Sequence, residues 1–333
     1  MKKPVLFILS KAVRYMKDKL ISFMENSQFS SLIKDNEVTD ISYNGQFIFY
    51  MHNTFGRLKA DFKITSSEAV DFIRQIANLS EKQFSYVEPI LDVSFGRFRV
   101  NAVHHSIGRI NDDNTITFSI RIASYENRIE KDNSFFKKNS KDFLFDILSK
   151  KESLVIAGET GCGKTELQKY LISHLKKNSR IVVIDNLQEL ECLRANEDLD
   201  ITSWQISDSK NKTFEDLIRN ALRSNPDWLI ISESRGREMS DILLSVMSGH
   251  PIITTLHANS IYDIPYRMVR MVQLANQNQL YDDVLKDISH HIQNYVFLKR
   301  KIDKNGHVVR YISEIGRLNV KTRQIDLVYQ GGN

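Results

Sequence analysis

Apolar and polar positions alternate over short stretches through roughly the first 124 residues, then give way to continuous apolar runs, so the chain reads as two differently built halves. In the first half, residues 38–43 and 47–51 are strand-like and flank Asn44-Gly45, a strong hairpin signal. Residues 66–78 predict a helix capped by Ser66 or Ser67, with Ala69, Phe72, Ile73 and Ile76 as its apolar stripe. Further strands are expected at 91–95, 97–103 and 115–122. Residues 125–150 open on the polar run Glu126, Asn127, Arg128, Glu130, Lys131, Asp132 and Asn133, and are expected to be a linker. Beyond it, 154–157, 181–184, 229–231 and 252–256 are unbroken apolar segments, the pattern of strands buried on both faces of a parallel sheet. Helical patterns separate them, as βαβ units require. The tail adds strand-like runs at 295–298, 308–312 and 325–329.

The N-terminus has its own pattern. Val5, Leu9, Val13, Met16, Leu20 and Met24 recur at helical spacing, with Lys11, Arg14 and Lys17 off the stripe and Pro4 suited to the first helical turn. The apolar run Val5-Leu6-Phe7-Ile8-Leu9 stops at Ser10-Lys11 with no small-residue cleavage site after it, so an amphipathic helix is expected rather than a signal peptide. The first 25 residues hold six Lys/Arg against Asp18 and Glu25, which accounts for most of the chain's net +5. Such a helix either lies on an anionic membrane surface or packs its stripe on its own domain or a neighbouring subunit. The expected organisation is a helix over 1–27, an α+β domain over 28–124, a linker over 125–150 and an α/β domain over 151–333.

Composition alters this little. With 41% hydrophobic and 26% charged residues in 333, the chain has enough apolar surface for two cores. No apolar run approaches the roughly 18 residues a membrane span needs. Two cysteines, Cys162 and Cys192, cannot form a disulfide framework, which fits a reducing cytoplasm.

The chemistry lies in the second half. Gly158-Glu159-Thr160-Gly161-Cys162-Gly163-Lys164-Thr165 matches GxxxxGK[ST] between a predicted strand and a predicted helix. Glycines let backbone N–H groups curl around phosphates, and the helix N-terminus adds positive potential. Lys164 is expected to reach the β- and γ-phosphates of ATP and Thr165 to hold Mg²⁺. Glu189, following Asp185 and Asn186 past the strand at 181–184, is a candidate to position the attacking water; the alternative is a solvated helix-start carboxylate. Glu233 ends the strand at 229–232 as a Walker B acid does, and is expected to hold Mg²⁺ directly or through water. Arg235 and Arg237 follow, as phosphate contacts or as surface ion pairs. His250 and His257 bracket the next apolar strand, as candidates for nucleotide binding and γ-phosphate sensing, or as structural histidines. His104-His105 and His290-His291 lack such context.

Taken in order, these motifs resemble the secretion-ATPase family, whose members serve type II and type IV secretion, conjugation and pilus extension and retraction. That family carries a Walker A loop, an aspartate box, a Walker B strand and a histidine box. Their counterparts are residues 158–165, 184–190, 230–236 and 249–259. The Thr255-Leu256-His257-Ala258-Asn259 wording is most similar to the type IV secretion, conjugation and Flp-pilus branch, whereas the length from His250 to His257 is more similar to the pilus-retraction branch; the former is the expected assignment. The resemblance implies an α/β fold: a RecA-like P-loop ATPase domain with a mainly parallel sheet, preceded by a smaller α+β domain. It implies an ATPase using ATP and Mg²⁺, a homohexameric ring, and secretion or pilus machinery as partners, with the protein cytoplasmic and peripheral to the inner membrane face. It implies that Arg99 and Arg121, with Arg97 as a further candidate, approach the phosphates. The aspartate box departs from the family's Glu-Asp by reading Asp185-Asn186, which leaves Glu189 the better catalytic candidate. A nucleic-acid motor of RecA type and an ATP-binding scaffold with little turnover are the competing readings; no specific nucleic-acid partner is expected.

Overall fold

The computed structural model describes residues 15–124, 126–132, 134–137, 139–185, 190, 198–205 and 213–331. The chain forms two compact units: residues up to 125 with Lys304–Val308, and the remainder from Glu126.

In the first unit, helix α1 covers residues 15–25 and α2 is Ser30–Lys34. Strands β1 (Val38–Tyr43), β2 (Ile48–His52) and β3 (Gly56–Lys59) precede helix α3 (Ser66–Leu79). Strands β4 (Ile90–Phe95), β5 (Phe98–Val103), the short β6 (Arg109–Ile110) and β7 (Asp113–Asn114), and β8 (Thr117–Ile122) follow. The sheet runs β3-β2-β1-β8-β5-β4, antiparallel throughout. Helix α3 is capped by Thr65 rather than Ser66 or Ser67. The Thr65 hydroxyl accepts the Glu68 N–H while the Glu68 carboxylate accepts the Thr65 N–H, a reciprocal box that two adjacent serines do not supply. The predicted stripe Ala69, Phe72, Ile73 and Ile76 is buried. Phe29, Phe72 and Phe118 meet edge-on and tilted at 4.9 to 5.7 Å between centroids.

Leu20 and Met24 of α1 are buried in this same core. For the described part of the N-terminal helix, the stripe therefore packs on its own domain, and those two side chains are not a membrane-facing surface. Pro4, Val5, Leu9 and Val13 lie outside the described residues.

The second unit begins earlier than expected. Residues 126–150 are not a linker: a short 3-10 turn (Arg128–Lys131) and helix α4 (Ser140–Ser149) pack onto the domain. Ile129, Phe135, Leu144, Ile147 and Leu148 are buried in its core. The polar run masks these apolar anchors in the sequence because they come singly or in groups of two or three, broken by charged and polar residues. Strand β9 (Leu154–Gly158), helix α5 (Lys164–Ser173), strands β10 (Arg180–Asp185) and β11 (Asp200–Gln205) and helix α6 (Phe214–Leu222) follow. Then come β12 (Trp228–Ile231), α7 (Met239–Met247), β13 (Ile252–Leu256), α8 (Ile264–Ala275), α9 (Tyr281–His291), β14 (Asn294–Ile302), β15 (Val308–Leu318) and β16 (Ile325–Gln330).

Their sheet is ordered β11-β10-β12-β13-β9-β14-β15-β16. From β11 to β14 every pairing is parallel; β15 and β16 are antiparallel. β9, β12 and β13 are buried along their whole length, with one apolar cluster on each face of the sheet. That accounts for their unbroken apolar runs. β11 was not anticipated. It is an edge strand with half-exposed positions, and its mixed sequence gives no continuous apolar signal.

Candidate functional site at the carboxyl edge of the parallel sheet

Parallel pairing aligns the ends of four strands. Leu256 pairs with Ala157, Ile231 with Thr254 and Ile184 with Ile231. The residues just past these positions, Gly158, Glu233, His257 and Asp185, therefore emerge along one edge of the sheet, where open α/β sheets bind ligands.

The loop 158–165 turns sharply out of β9. Gly158 has φ +147°, and a Cβ there would stand 2.4 Å from the Leu298 carbonyl oxygen and 2.8 Å from Cys162 Sγ, so only glycine fits. Gly163 is left-handed at φ +98° and leads directly into α5. Helix α5 is pinned to the sheet by Gln168, whose Nε2 donates to the carbonyls of Ile231 and Ile253 at 2.9 and 3.1 Å. Cys162 is buried and its thiol is pushed up from its ordinary value, by burial above all, against the opposing pull of Lys164. A protonated buried thiol is inert, which argues against oxidative control at this position.

Lys164 is buried, and its Nζ donates to the carbonyls of Gly158 at 3.0 Å and Glu159 at 2.9 Å. It also stands 3.4 Å from His257 Nδ1. His257 Nε2 is 3.1 Å from Glu233 Oε1, and Arg235 Nη2 donates to Glu233 Oε2 at 2.7 Å. Lys164, His257, Glu233 and Arg235 thus form one chain of contacts. Burial and the Lys164 charge hold the His257 imidazole below its ordinary value, against the pull of Glu233. A neutral ring with Nδ1 facing the ammonium and the proton on Nε2 facing the carboxylate fits that shift. Burial pushes the Glu233 carboxyl up, but Arg235, His257 and Lys164 outweigh it and hold it below the usual range. Glu233 Oε1 is buried and, despite the nearby imidazole, makes no properly directed hydrogen bond. It is a charged hard oxygen with spare acceptor capacity. The Thr165 hydroxyl lies in the first turn of α5.

The turn after Glu233 is held by Glu238, which sequence reasoning missed. Its buried carboxylate accepts the N–H groups of Arg235 and Gly236. Ser234 and Thr254 hydroxyls bond at 2.7 Å, and Thr255 donates to the Ser232 carbonyl at 2.7 Å. Gln168 was missed too; a polar residue one turn before Leu171 and Ile172 on the same helix face was its available signal.

Other candidates fall elsewhere. His250 precedes β13 whereas His257 follows it, so five strand residues, about 17 Å of rise, separate the two ends. His250 faces the Pro226 carbonyl at 3.2 Å. The structure corrects its assignment to the nucleotide-binding set: a parallel strand places its start at the edge opposite the P-loop. Arg235 meets Glu233, and Arg237 is exposed. Asp185 is buried and accepts the Leu190 N–H at 3.0 Å, a structural use. Asn186, Glu189 and Cys192 lie outside the described residues. Arg99 and Arg121 are in the first unit, directly opposite each other on β5 and β8. Arg99 grips Asp92 through two hydrogen bonds and Arg121 stands 3.5 Å from Asp40. Among the described residues no group of three His, Cys, Asp or Glu is placed to hold a metal, and no helix is long and apolar enough to cross a membrane.

Comparison with known proteins adds independent ground. Residues 93–301 match the family described as type II/IV secretion system protein. An uncharacterised protein of Bacillus anthracis is 31% identical over 310 residues, 88% of this chain and 68% of that relative. The type IV secretion system protein VirB11 of Bartonella quintana is 32% identical over 128 residues, 38% of this chain but only 36% of that protein. Among solved structures, the Legionella pneumophila ATPase DotB shares the fold at TM-score 0.64 and 20% identity, over 87% of this chain and 80% of that one.

Proposed function

Since the chain belongs to the type II/IV secretion system protein family, we propose that it is an ATPase motor that binds ATP with Mg²⁺ at residues 158–165 and hydrolyses it to drive macromolecular transport. The observation that carries this is the convergence of Lys164, His257 and Glu233 at the P-loop edge of the sheet, linked at 3.4 and 3.1 Å. Kinases, GTPases and motors share the loop alone; the carboxylate and imidazole beyond it favour a hydrolase.

In this reading loop N–H groups and Lys164 bind the β- and γ-phosphates. Thr165 and Glu233 hold Mg²⁺: the spare Glu233 oxygen suits a hard cation, and magnesium needs few protein ligands because phosphate and water complete its shell. The ion would neutralise charge on the leaving phosphates. Arg235 keeps Glu233 ionised. His257, neutral and between Lys164 and Glu233, responds to a γ-phosphate by changing partner. Glu189 positions water, and Arg99 and Arg121 are phosphate contacts on the strength of the resemblance. Six copies form a ring at the cytoplasmic face of the membrane, serving type IV secretion, conjugation or a pilus. VirB11's name favours the first.

One observation favours a slower enzyme: Asp185, the first acid of the altered aspartate box, is buried and accepts the Leu190 N–H at 3.0 Å. The test is phosphate release by the purified chain and by Lys164→Ala. Wild-type turnover abolished by the substitution supports the motor; nucleotide binding without release would convert it to an assembly scaffold.

A further inference from the structure

Two arginines that no motif points to stand on the outside of the P-loop. Arg310, on β15, donates from Nε to the Gly161 carbonyl at 2.7 Å. Its Cδ would lie 3.6 Å from a Cβ at Gly163, so the side chain runs along the loop from Gly161 to Gly163. Arg300, near the end of β14, has Nη1 3.2 Å from where a Gly161 Cβ would be. Phe135 closes the same side, 3.4 Å from a Gly163 Cβ.

We propose that Arg310 is a positioning residue that sets the P-loop for phosphate from outside, with Arg300 as a supporting charge. The warrant is peptide geometry. In a planar trans peptide the C=O of Gly161 and the N–H of Cys162 point in opposite directions. A guanidinium that fixes the carbonyl on the outer side fixes that amide toward the other side, where a curled loop presents its donors. A charge-assisted bond does this more firmly than a neutral one. The two guanidinium charges also raise the potential of the loop as an anion site. This rests on the nucleotide-binding reading above.

The experiment is titration of the full-length protein with a fluorescent ADP analogue, alongside thermal melting without nucleotide. Arg310→Ala is expected to weaken binding about tenfold with little change in melting, and Arg310→Lys to recover part of it, since lysine keeps the charge and one donor but not the fork. Binding by Arg310→Ala as tight as wild type overturns the proposal. So does loss of affinity only in step with loss of melting temperature, or failure of Arg310→Lys to recover any affinity in a protein that melts normally. Lys164→Ala separates the two readings. If it binds like wild type, the nucleotide reading itself fails; if it loses binding while Arg310→Ala does not, only the positioning role fails.

Discussion

His257 Nε2 lies 3.1 Å from Glu233 Oε1 although 24 residues separate them in the chain. Adjacent parallel strands β12 and β13 end together, and that alone brings an imidazole and a carboxylate to the same phosphate-binding edge. The same alignment sets Lys164 at 3.4 Å on the other side of the ring.

Replacing Glu233 by Gln keeps the shape and removes the charge. Turnover is expected to fall about a hundredfold or more, as when a group that stabilises transition-state charge is lost. The magnesium concentration for half-maximal rate should rise while nucleotide affinity changes little. Phosphate-release assays across a magnesium series check this; unchanged magnesium dependence would remove Glu233 from the metal site.

The His257 shift has a defined sign. The folded imidazole binds its proton less readily than an ordinary one of about 6.5. Above that pH both states are neutral and the group is silent. As pH falls below about 6.5, the unfolded chain takes up the proton first, so stability declines until the folded ring also protonates. Urea unfolding between pH 8 and 5 should show the decline, and His257→Gln should flatten it. Because the ring is partly exposed, the effect will be modest.

Gln168→Leu deletes the two hydrogen bonds that hold α5 to β12 and β13. It also removes a buried Oε1 that has no partner, which offsets part of the loss. Net destabilisation of about 2 kcal/mol is expected from equilibrium denaturation. A variant as stable as wild type would show that these carbonyls need no partner.

Gly158→Ala forces a Cβ to within 2.4 Å of the Leu298 carbonyl at a backbone angle that only glycine tolerates. The loop must shift, at a cost of at least about 1–3 kcal/mol. Nucleotide affinity should collapse while far-UV circular dichroism stays close to wild type, since β9 and α5 are held by their own packing. Normal affinity would mean that the loop's shape at Gly158 is not what binds phosphate.

What the sequence alone determined was local. The loop 158–165 was legible because a phosphate cradle needs glycines at fixed spacing. The strands β9, β10, β12 and β13 were legible because burial on both faces demands unbroken apolar runs. Glu233 and His257 stood out as polar residues closing such runs. Tertiary structure decided what depends on direction and distance. It set His257 at the P-loop edge and His250 at the other, since a strand has two ends and their sequence context looks alike. It drew Phe135 and Leu144 into a core from a segment whose charges read as a linker, and it buried Leu20 and Met24 of a helix equally suited to a membrane surface. It also brought in Gln168, Glu238 and Arg310, whose partners are backbone groups. A backbone carbonyl or N–H is present at nearly every residue, so such contacts leave no mark in the sequence; only the folded chain shows which one a side chain meets.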